Sequence, residues 1–468
     1  MVNFDTFLDV IGPFGRYQKI HTITLYLVII PSGIQNLLNI YLLATPEHWC
    51  DVRELANLSV QEQIQLTAPL TQSYANDIDA SCMIRDFNYS EVYLAFVRNE
   101  SYNVNISELR QCSNWQYDYS VYGTTGVTKW NLVCSNASLP AMAQSIYMFG
   151  FLLGAFLIGY SSDRFGRKIT LYGSVVGVIV FALLSCVQQN LWAHIILRMI
   201  AGVAACGCIT VAFIIVMEMI GPTKRMIPGL SAQVFFALGY MIVSFVAYFA
   251  RGFVLTNAIL SALPIVFLCY WWTEPESARW LLAHGRVEEA KTIMKKMAKT
   301  NKVSIDADAL VNEFKDEEID LSTNRSDSSH RNDKHYTVLD IVRTPNMRKK
   351  SANILFNCAE LFPTVVRTIG VGMGSMSARL GGLVAPFVTE LKIFWLPLPT
   401  IIFGLFALVA GFLSFLLPET LGEKLPDTLE EGEAFGKDMK LLECYYARRR
   451  RSGRASAIDD QDGQQKCV

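Results

Sequence analysis

Two short turns carry the residues most able to do chemistry. The first, Gly159-Tyr-Ser-Ser-Asp163-Arg164-Phe-Gly166-Arg167-Lys168, sets one acid and three bases around a glycine; in the second, Glu218 is followed by Gly-Pro and then Arg225. Carboxylates and guanidiniums at the ends of helices pair with a charge on a neighbouring helix, lock that face of a bundle shut, and release it when the helices part. Asp163, Arg164, Arg167, Glu218 and Arg225 are therefore expected to gate, with Arg198, in the same span as Glu218, a further gating or structural charge. Arg198 lies inside an apolar run with Gly202 one turn away. An arginine there is costly, so it faces a cavity or a partner, or else extends its head to the membrane interface. No acid/base or nucleophile constellation accompanies these charges. The six histidines are scattered, with no pair at zinc-ligand spacing, and no phosphate-binding loop appears. Neither enzymatic nor ATP-driven chemistry is expected, and no cofactor or metal.

The elements that position these charges are set by hydrophobicity. Of 468 residues 51% are apolar and only 18% charged, with mean hydropathy +0.28; soluble domains carry roughly 25% charge. A net charge of −1 and a pI near 6.6 give no basic footprint for nucleic acid. Long uncharged runs lie near Ile20–Leu43, Pro140–Tyr160, Ile169–Gln188, Leu191–Met217, Pro228–Ala250, Val254–Trp272, Ile369–Thr389 and Ile393–Leu417. Each can cross a hydrocarbon core of about 30 Å, so the fold class is an all-α polytopic membrane protein with eight spans. Gly150/Gly154, Gly173/Gly177 and Gly370/Gly374 fall inside spans, where close helix packing is the expected use. Cys206 and Cys208 are expected to be packing residues.

Positive charge fixes a topology. Arg164, Arg167 and Lys168, then Lys224 and Arg225, follow spans two and four, whereas the opposite turns hold only Arg251. The positive-inside rule places both termini in the cytoplasm. Residues 1–19 then form a cytoplasmic amino-terminus, 20–43 the first span, 44–139 an outside loop, 140–272 spans two to six, 273–350 a cytoplasmic loop, and 418–468 a cytoplasmic tail. The outside loop has five glycosylation sequons, at Asn57, Asn88, Asn99, Asn105 and Asn136, and carries 5 basic against 11 acidic residues. Its cysteines, Cys50, Cys82, Cys112 and Cys134, are disulfide candidates, and four cysteines permit three pairings. In the cytoplasmic loop, two helices broken at Gly285 are expected, the second with Val287, Ala290, Ile293, Met294 and Met297 on one face, ahead of a polar linker around Leu321–Tyr336. The basic run Arg448–Arg451 is a solvated tail or a contact for anionic lipid.

An internal repeat runs through the spans. Glu218-Met-Ile-Gly-Pro-Thr-Lys-Arg225 is echoed 142 residues later by Glu360-Leu-Phe-Pro-Thr-Val-Val-Arg367, and Pro275-Glu-Ser-Ala-Arg is echoed 143 residues later by Pro418-Glu-Thr-Leu-Gly. A shared offset marks a duplicated unit, and it adds Glu360 and Arg367 to the gating set. The first copy has four spans before its glutamate. The second has only the fragment Ser351–Ala359, so residues 351–368 are a helix remnant and a cytoplasmic turn before the last two spans, 369–417. On the order of 90 residues are absent.

The turn after span two resembles the signature loop of the major facilitator superfamily. Thr45-Pro-Glu-His-Trp-Cys50, Pro275-Glu-Ser-Ala-Arg-Trp280 and Glu360-Leu-Phe-Pro-Thr-Val-Val-Arg367 resemble its organic cation/anion/zwitterion (carnitine-type) transporters, from Phe4 to about Gly422. The resemblance implies two six-helix bundles around a central cavity, here with an intact first bundle and a two-helix remnant of the second. It implies a plasma-membrane carrier of small organic ions working by alternating access, gradient-driven or facilitative, with an undetermined coupling ion. Where the cation-preferring branch has an aspartate before Gly-Gly, this chain has Arg379 before Gly381-Gly382, which favours a carboxylate-bearing or zwitterionic substrate. Phe213 matches a cavity-lining aromatic of the family, and Gln144 and Tyr147 are further substrate-binding candidates. An organic anion carrier, or a transport-inactive shortened form, is the alternative.

Overall fold

The computed structural model describes residues 4–67, 80–98, 109–221, 224–303 and 364–415. Two compact units divide the chain: Met1–Ser329 with Gly382–Phe394, and His330–Gly381 with Trp395–Val468. In the first unit six helices are long and apolar enough to cross a membrane: Arg16–Leu42, Cys134–Phe165, Arg167–Cys186, Leu191–Met219, Met226–Ala250 and Phe253–Thr273. They are the six expected spans of the first half, with ends moved by a few residues.

Proline accounts for both internal breaks. Span one divides at Val28 into Arg16–Leu27 and Ile29–Leu42. Pro31 has no N–H to give Leu27, and its ring presses on that carbonyl, so the ladder tightens and Val28 N–H bonds Leu25 O instead. In span six, Pro264 opens the 3-10 stretch Leu263–Cys269 that follows Phe253–Ala262.

Spans one and four form the middle of the unit. Their apolar windows are 67% and 61% buried, against 17% for span five. The main core joins Leu25, Tyr26 and Ile29 of span one, Tyr147 of span two, Val175 and Val178 of span three, and Ala205, Val211 and Val216 of span four. Cys206 and Cys208 are fully buried in it. Gly150 and Gly154 let span two approach the backbone of span four, since a Cβ at either would run into the Met199 or Val203 carbonyl. Gly173 has open space around it, so the second expected glycine pair packs only through Gly177.

The loop between spans one and two is folded. β1 (His48–Cys50) pairs antiparallel with β4 (Trp115–Tyr117), and β2 (Met83–Arg85) with β3 (Leu109–Gln111). The disulfides are Cys50–Cys112 and Cys82–Cys134, whose loops interlock. The loop is stitched to the spans: Trp130 Nε1 donates to Gln189 O at 2.6 Å, and Phe253 N–H to Thr124 O at 2.7 Å.

At the opposite end, helices Ala278–Ala283 and Val287–Asn301 flank Gly285, whose φ of +71° is the left-handed conformation glycine adopts freely. Ala290, Met294 and Met297 are buried on one face, as the spacing predicts. Asn301 ties this helix to the amino-terminal segment, donating to Ile11 O and Gln18 Oε1 and accepting from Tyr17 N–H.

In the second half, helices Thr364–Glu390 and Leu398–Phe415 are described. The first begins five residues before the expected span, so the stretch expected as a turn already turns helical at Thr364. In the second of these, the stretch Leu398–Phe412 is apolar.

Candidate functional site: a charged lock between span two, span four and the segment after span six

Span two ends at Phe165 and span three begins at Arg167, with Gly166 alone between them at φ +109°. A side chain at Gly166 would be strained by that φ, and a Cβ would meet Glu276 Oε2 at 2.6 Å. The glycine of the turn is thus required twice, by the backbone and by the carboxylate beside it.

Arg167 is the centre of the site. Its Nη1 donates to Asp163 Oδ1 at 2.5 Å and to Ser162 Oγ at 3.0 Å, and its Nη2 to Glu218 Oε1 at 3.0 Å. Arg167 and Glu218 are mostly enclosed, at 12% and 15% exposure, whereas Asp163 is 71% exposed. Glu218 spends its other oxygen on the Ser277 hydroxyl at 2.5 Å. Glu276 accepts from the backbone N–H groups of Arg167, Lys168 and Ser277, a carboxylate seated on the positive end of span three. Trp280 Nε1 donates to Asp163 O at 2.8 Å. A second pair beside it, His21 Nδ1 with Glu274 Oε2 at 2.7 Å, joins span one to the same segment. Four elements are thus fastened at one end by hydrogen bonds and ion pairs: span one, the two-three turn, span four and the segment after span six.

The expected gating residues divide. Asp163, Arg167 and Glu218 are brought together. Arg164 is exposed and turns to Tyr160, donating to its hydroxyl at 2.8 Å and lying over its ring. Arg225 reaches back to Ile220 O at 3.0 Å. Arg198 stands apart from this cluster. It is 2% exposed and twenty residues, about 30 Å of helix, from Glu218. Its Nε donates to Asn39 Oδ1 at 2.7 Å, Nη1 to Gln35 Oε1 and Nη2 to Gln35 O, and its guanidinium lies over the Tyr147 ring. The expectation that span-four charges gate together is corrected: two amides on span one satisfy Arg198, so it binds spans one, two and four internally. Glu360 lies outside the described residues; Arg367 falls in the first turn of the helix Thr364–Glu390.

Of the substrate-binding candidates, Tyr147 is fully buried beneath Arg198 and its hydroxyl has no partner, nor has Gln144 Oε1 one turn before it. Phe213 is half-buried against the main core, eleven residues and about 16 Å past Gly202, the residue touching Tyr147. It is not brought beside them. Arg379 belongs to the other unit, half-buried within its helix. Asn57, Asn88 and Asn136 are exposed, while Asn99 and Asn105 lie outside the described residues, as do the polar linker and Arg448–Arg451. His48 lies near the sulfurs of Cys82 and Cys134, but a disulfide offers no thiolate to a metal. Glu276 and Ser277 were legible only as part of a repeated motif, and Trp280 only as part of the stretch resembling the family; that they adjoin Arg167, Glu218 and Asp163 follows from the folded geometry.

A bundle of membrane-length helices, fastened at one end by ion pairs and carrying a disulfide-bonded loop at the other, defines a polytopic helical membrane protein. Comparison with known proteins narrows the class. Residues 88–338 match the family model described as "Sugar (and other) transporter". The chain is 31% identical to the organic cation transporter protein of Drosophila melanogaster, covering 93% of this chain and 95% of that one. It is 27% identical to the human organic cation/carnitine transporter 2, over 92% and 94%. Among solved structures, the inward-open xylose transporter XylE from E. coli is similar at 15% identity and a TM-score of 0.51, over 89% of this chain and 99% of that one. The chain belongs to the major facilitator superfamily, in its organic cation/carnitine transporter family; such proteins are multi-pass membrane transporters, not enzymes. The Drosophila alignment runs over 537 positions yet uses 93% of a 468-residue chain, about 435 residues, leaving about 100 positions without a counterpart here. That deficit has the size of the four helices absent by repeat arithmetic.

Proposed function

We propose that the chain is a secondary carrier of small organic ions at the plasma membrane, with both termini in the cytoplasm and the sugar-bearing loop outside. It works by alternating access, and the Arg167 lock closes its cytoplasmic end. The observation that carries this reading is the single guanidinium shared by Asp163 and Glu218 while Glu276 and Ser277 hold the same turn from another element. Opening that end separates these elements, so the lock favours the closed state, and each ion pair is remade once per cycle. Glycans on Asn57, Asn88, Asn99, Asn105 and Asn136 belong to the outer loop.

The substrate is a carnitine-like zwitterion or an organic cation, with an organic anion as the second reading, favoured by Arg379 in place of an acidic residue. Tyr147 and Gln144 supply buried polar atoms without partners within the first unit. A third reading, a shortened form that does not transport alone, is favoured by the deficit of about 100 positions.

Proteoliposomes holding only this chain, offered radiolabelled carnitine, tetraethylammonium and benzoate in turn, separate these. Saturable flux of carnitine or tetraethylammonium that is abolished by Arg167→Gln at equal protein incorporation is the expected result. Flux of benzoate alone selects the anion reading, and no flux of any probe selects the inactive form.

A further inference from the structure

At the end of the bundle opposite the lock, a cavity of about 420 Å³ lies between the outer-loop segment Ser120–Thr125, the end of span one and the turn joining spans five and six. Tyr41, Tyr122, Tyr248 and Phe253 give it apolar walls, and hydroxyls such as Ser244 and Thr256 line it too. No aspartate or glutamate lines it, and its one formal charge is Arg251.

Arg251 is held in place rather than merely exposed. Its backbone is left-handed, at φ +46°, an uncommon conformation for a residue with a long side chain. Both strands of the seam fix it there: Gly123 N–H donates to Arg251 O at 2.8 Å, and Phe253 N–H to Thr124 O at 2.7 Å. Tyr248 lies beneath the guanidinium, 5.6 Å from ring centre to carbon. The side chain's hydrogen bonds go to backbone carbonyls, Nε to Tyr248 O at 3.2 Å and Nη1 to Ser120 O at 3.5 Å. No carboxylate among the described residues pairs with it. The nearby Asp118 is taken up by the Ser120 N–H and hydroxyl, which hold its carboxyl below the usual range.

We propose that this cavity is a binding site for a small aromatic carboxylate, distinct from the transport path, with Arg251 receiving the carboxylate and the tyrosine and phenylalanine rings enclosing the apolar body. Its volume falls within the range of small-ligand pockets. A fixed guanidinium is the group that binds a carboxylate through paired hydrogen bonds. The same charge rejects organic cations, which the tyrosine faces alone would attract. Because the seam joins the loop to the five-six turn, an occupant bridges the two.

The test uses the full chain in phosphatidylcholine nanodiscs, titrated with 2-naphthoate and, as the uncharged match, 2-naphthamide, with binding read from naphthalene fluorescence. Wild type is expected to bind 2-naphthoate saturably and to prefer it over the amide. Arg251→Gln should weaken the acid about tenfold or more and leave the amide unchanged, with Arg251→Lys recovering part of the loss. Ser244→Phe, which fills the cavity without touching the charge, should remove binding of both. Equal affinity in all four proteins, or a linear signal set by the lipid, overturns the proposal. So does binding that disappears when phosphatidylglycerol is added, because the site then belongs to lipid headgroups. The assay is blind to transport, so its failure leaves the carrier reading untouched.

Discussion

Glu218 and Asp163 are both carboxylates on Arg167, but they do not carry equal weight. Glu218 is enclosed and makes two hydrogen bonds, one to the guanidinium and one to Ser277; Asp163 is 71% exposed. A hydrogen bond to a charged partner in an enclosed place contributes about 1.5–3 kcal/mol, and removing one partner of an enclosed pair strands the other charge. An exposed pair contributes roughly 0–1 kcal/mol. Glu218→Gln should therefore lower the thermal unfolding midpoint in detergent clearly more than Asp163→Asn. Equal shifts from the two substitutions would show that the lock does not depend on the enclosed pair. Arg198 rests on the same reasoning in a deeper place: each of its three guanidinium nitrogens donates to Gln35 or Asn39, with no carboxylate of the described residues among those partners.

Among the elements, the loop helix Val60–Thr67 offers a pH test away from the membrane. Ser59 and Glu62 form a reciprocal cap: Ser59 N–H and hydroxyl donate to the Glu62 carboxylate at 2.8 and 2.6 Å, and Glu62 N–H returns to Ser59 Oγ. The two Ser59 hydrogen bonds lower the Glu62 pKa from its ordinary value of 4.5. A carboxyl whose folded pKa is depressed lends stability above its unfolded value and loses it as pH falls through the folded one. Amide exchange in Val60–Thr67 should thus speed up, beyond the intrinsic rate change, as pH drops below about 4.5, and Glu62→Gln should flatten that dependence. The spans obey a different rule. Gly150 and Gly154 matter because backbone meets backbone there, and a leucine at Gly150 would have to displace the Met199 carbonyl.

For the whole molecule, the prediction concerns sidedness. Positive charge gathers at the lock, and the sequons lie on the loop at the other end of the spans. In intact cells, glycosidase should shift the mobility of the chain, and a tag after Val468 should resist added protease until the membrane is permeabilised. A tag cleaved in intact cells would refute a cytoplasmic carboxyl terminus. The chain has six membrane-length helices in its first half, two described helices in its second, and about 100 positions fewer than its alignment with the Drosophila relative spans. The flux assay on this chain alone therefore decides between a carrier and a companion of one.

Much of this was legible in the sequence because lipid imposes a long, blunt signal: about 20 apolar residues per span, charge at one end, sequons at the other. The six spans of the first half, the helix break at Gly285 and the repeat with its missing helices needed only periodicity and arithmetic. Pairing needed the fold. The sequence left three disulfide patterns open; the fold joins Cys50 to Cys112 and Cys82 to Cys134, although the β2–β3 register itself sets Cys82 opposite Cys112. Arg198 and Arg167 look alike along the chain, two arginines near glycines, yet one is an internal tie and the other the hub of a lock. What separates them is which side chains the neighbouring helices bring within hydrogen-bond reach: two amides of span one for Arg198, carboxylates of spans two and four for Arg167. Partners more than a hundred positions apart meet only in the folded bundle.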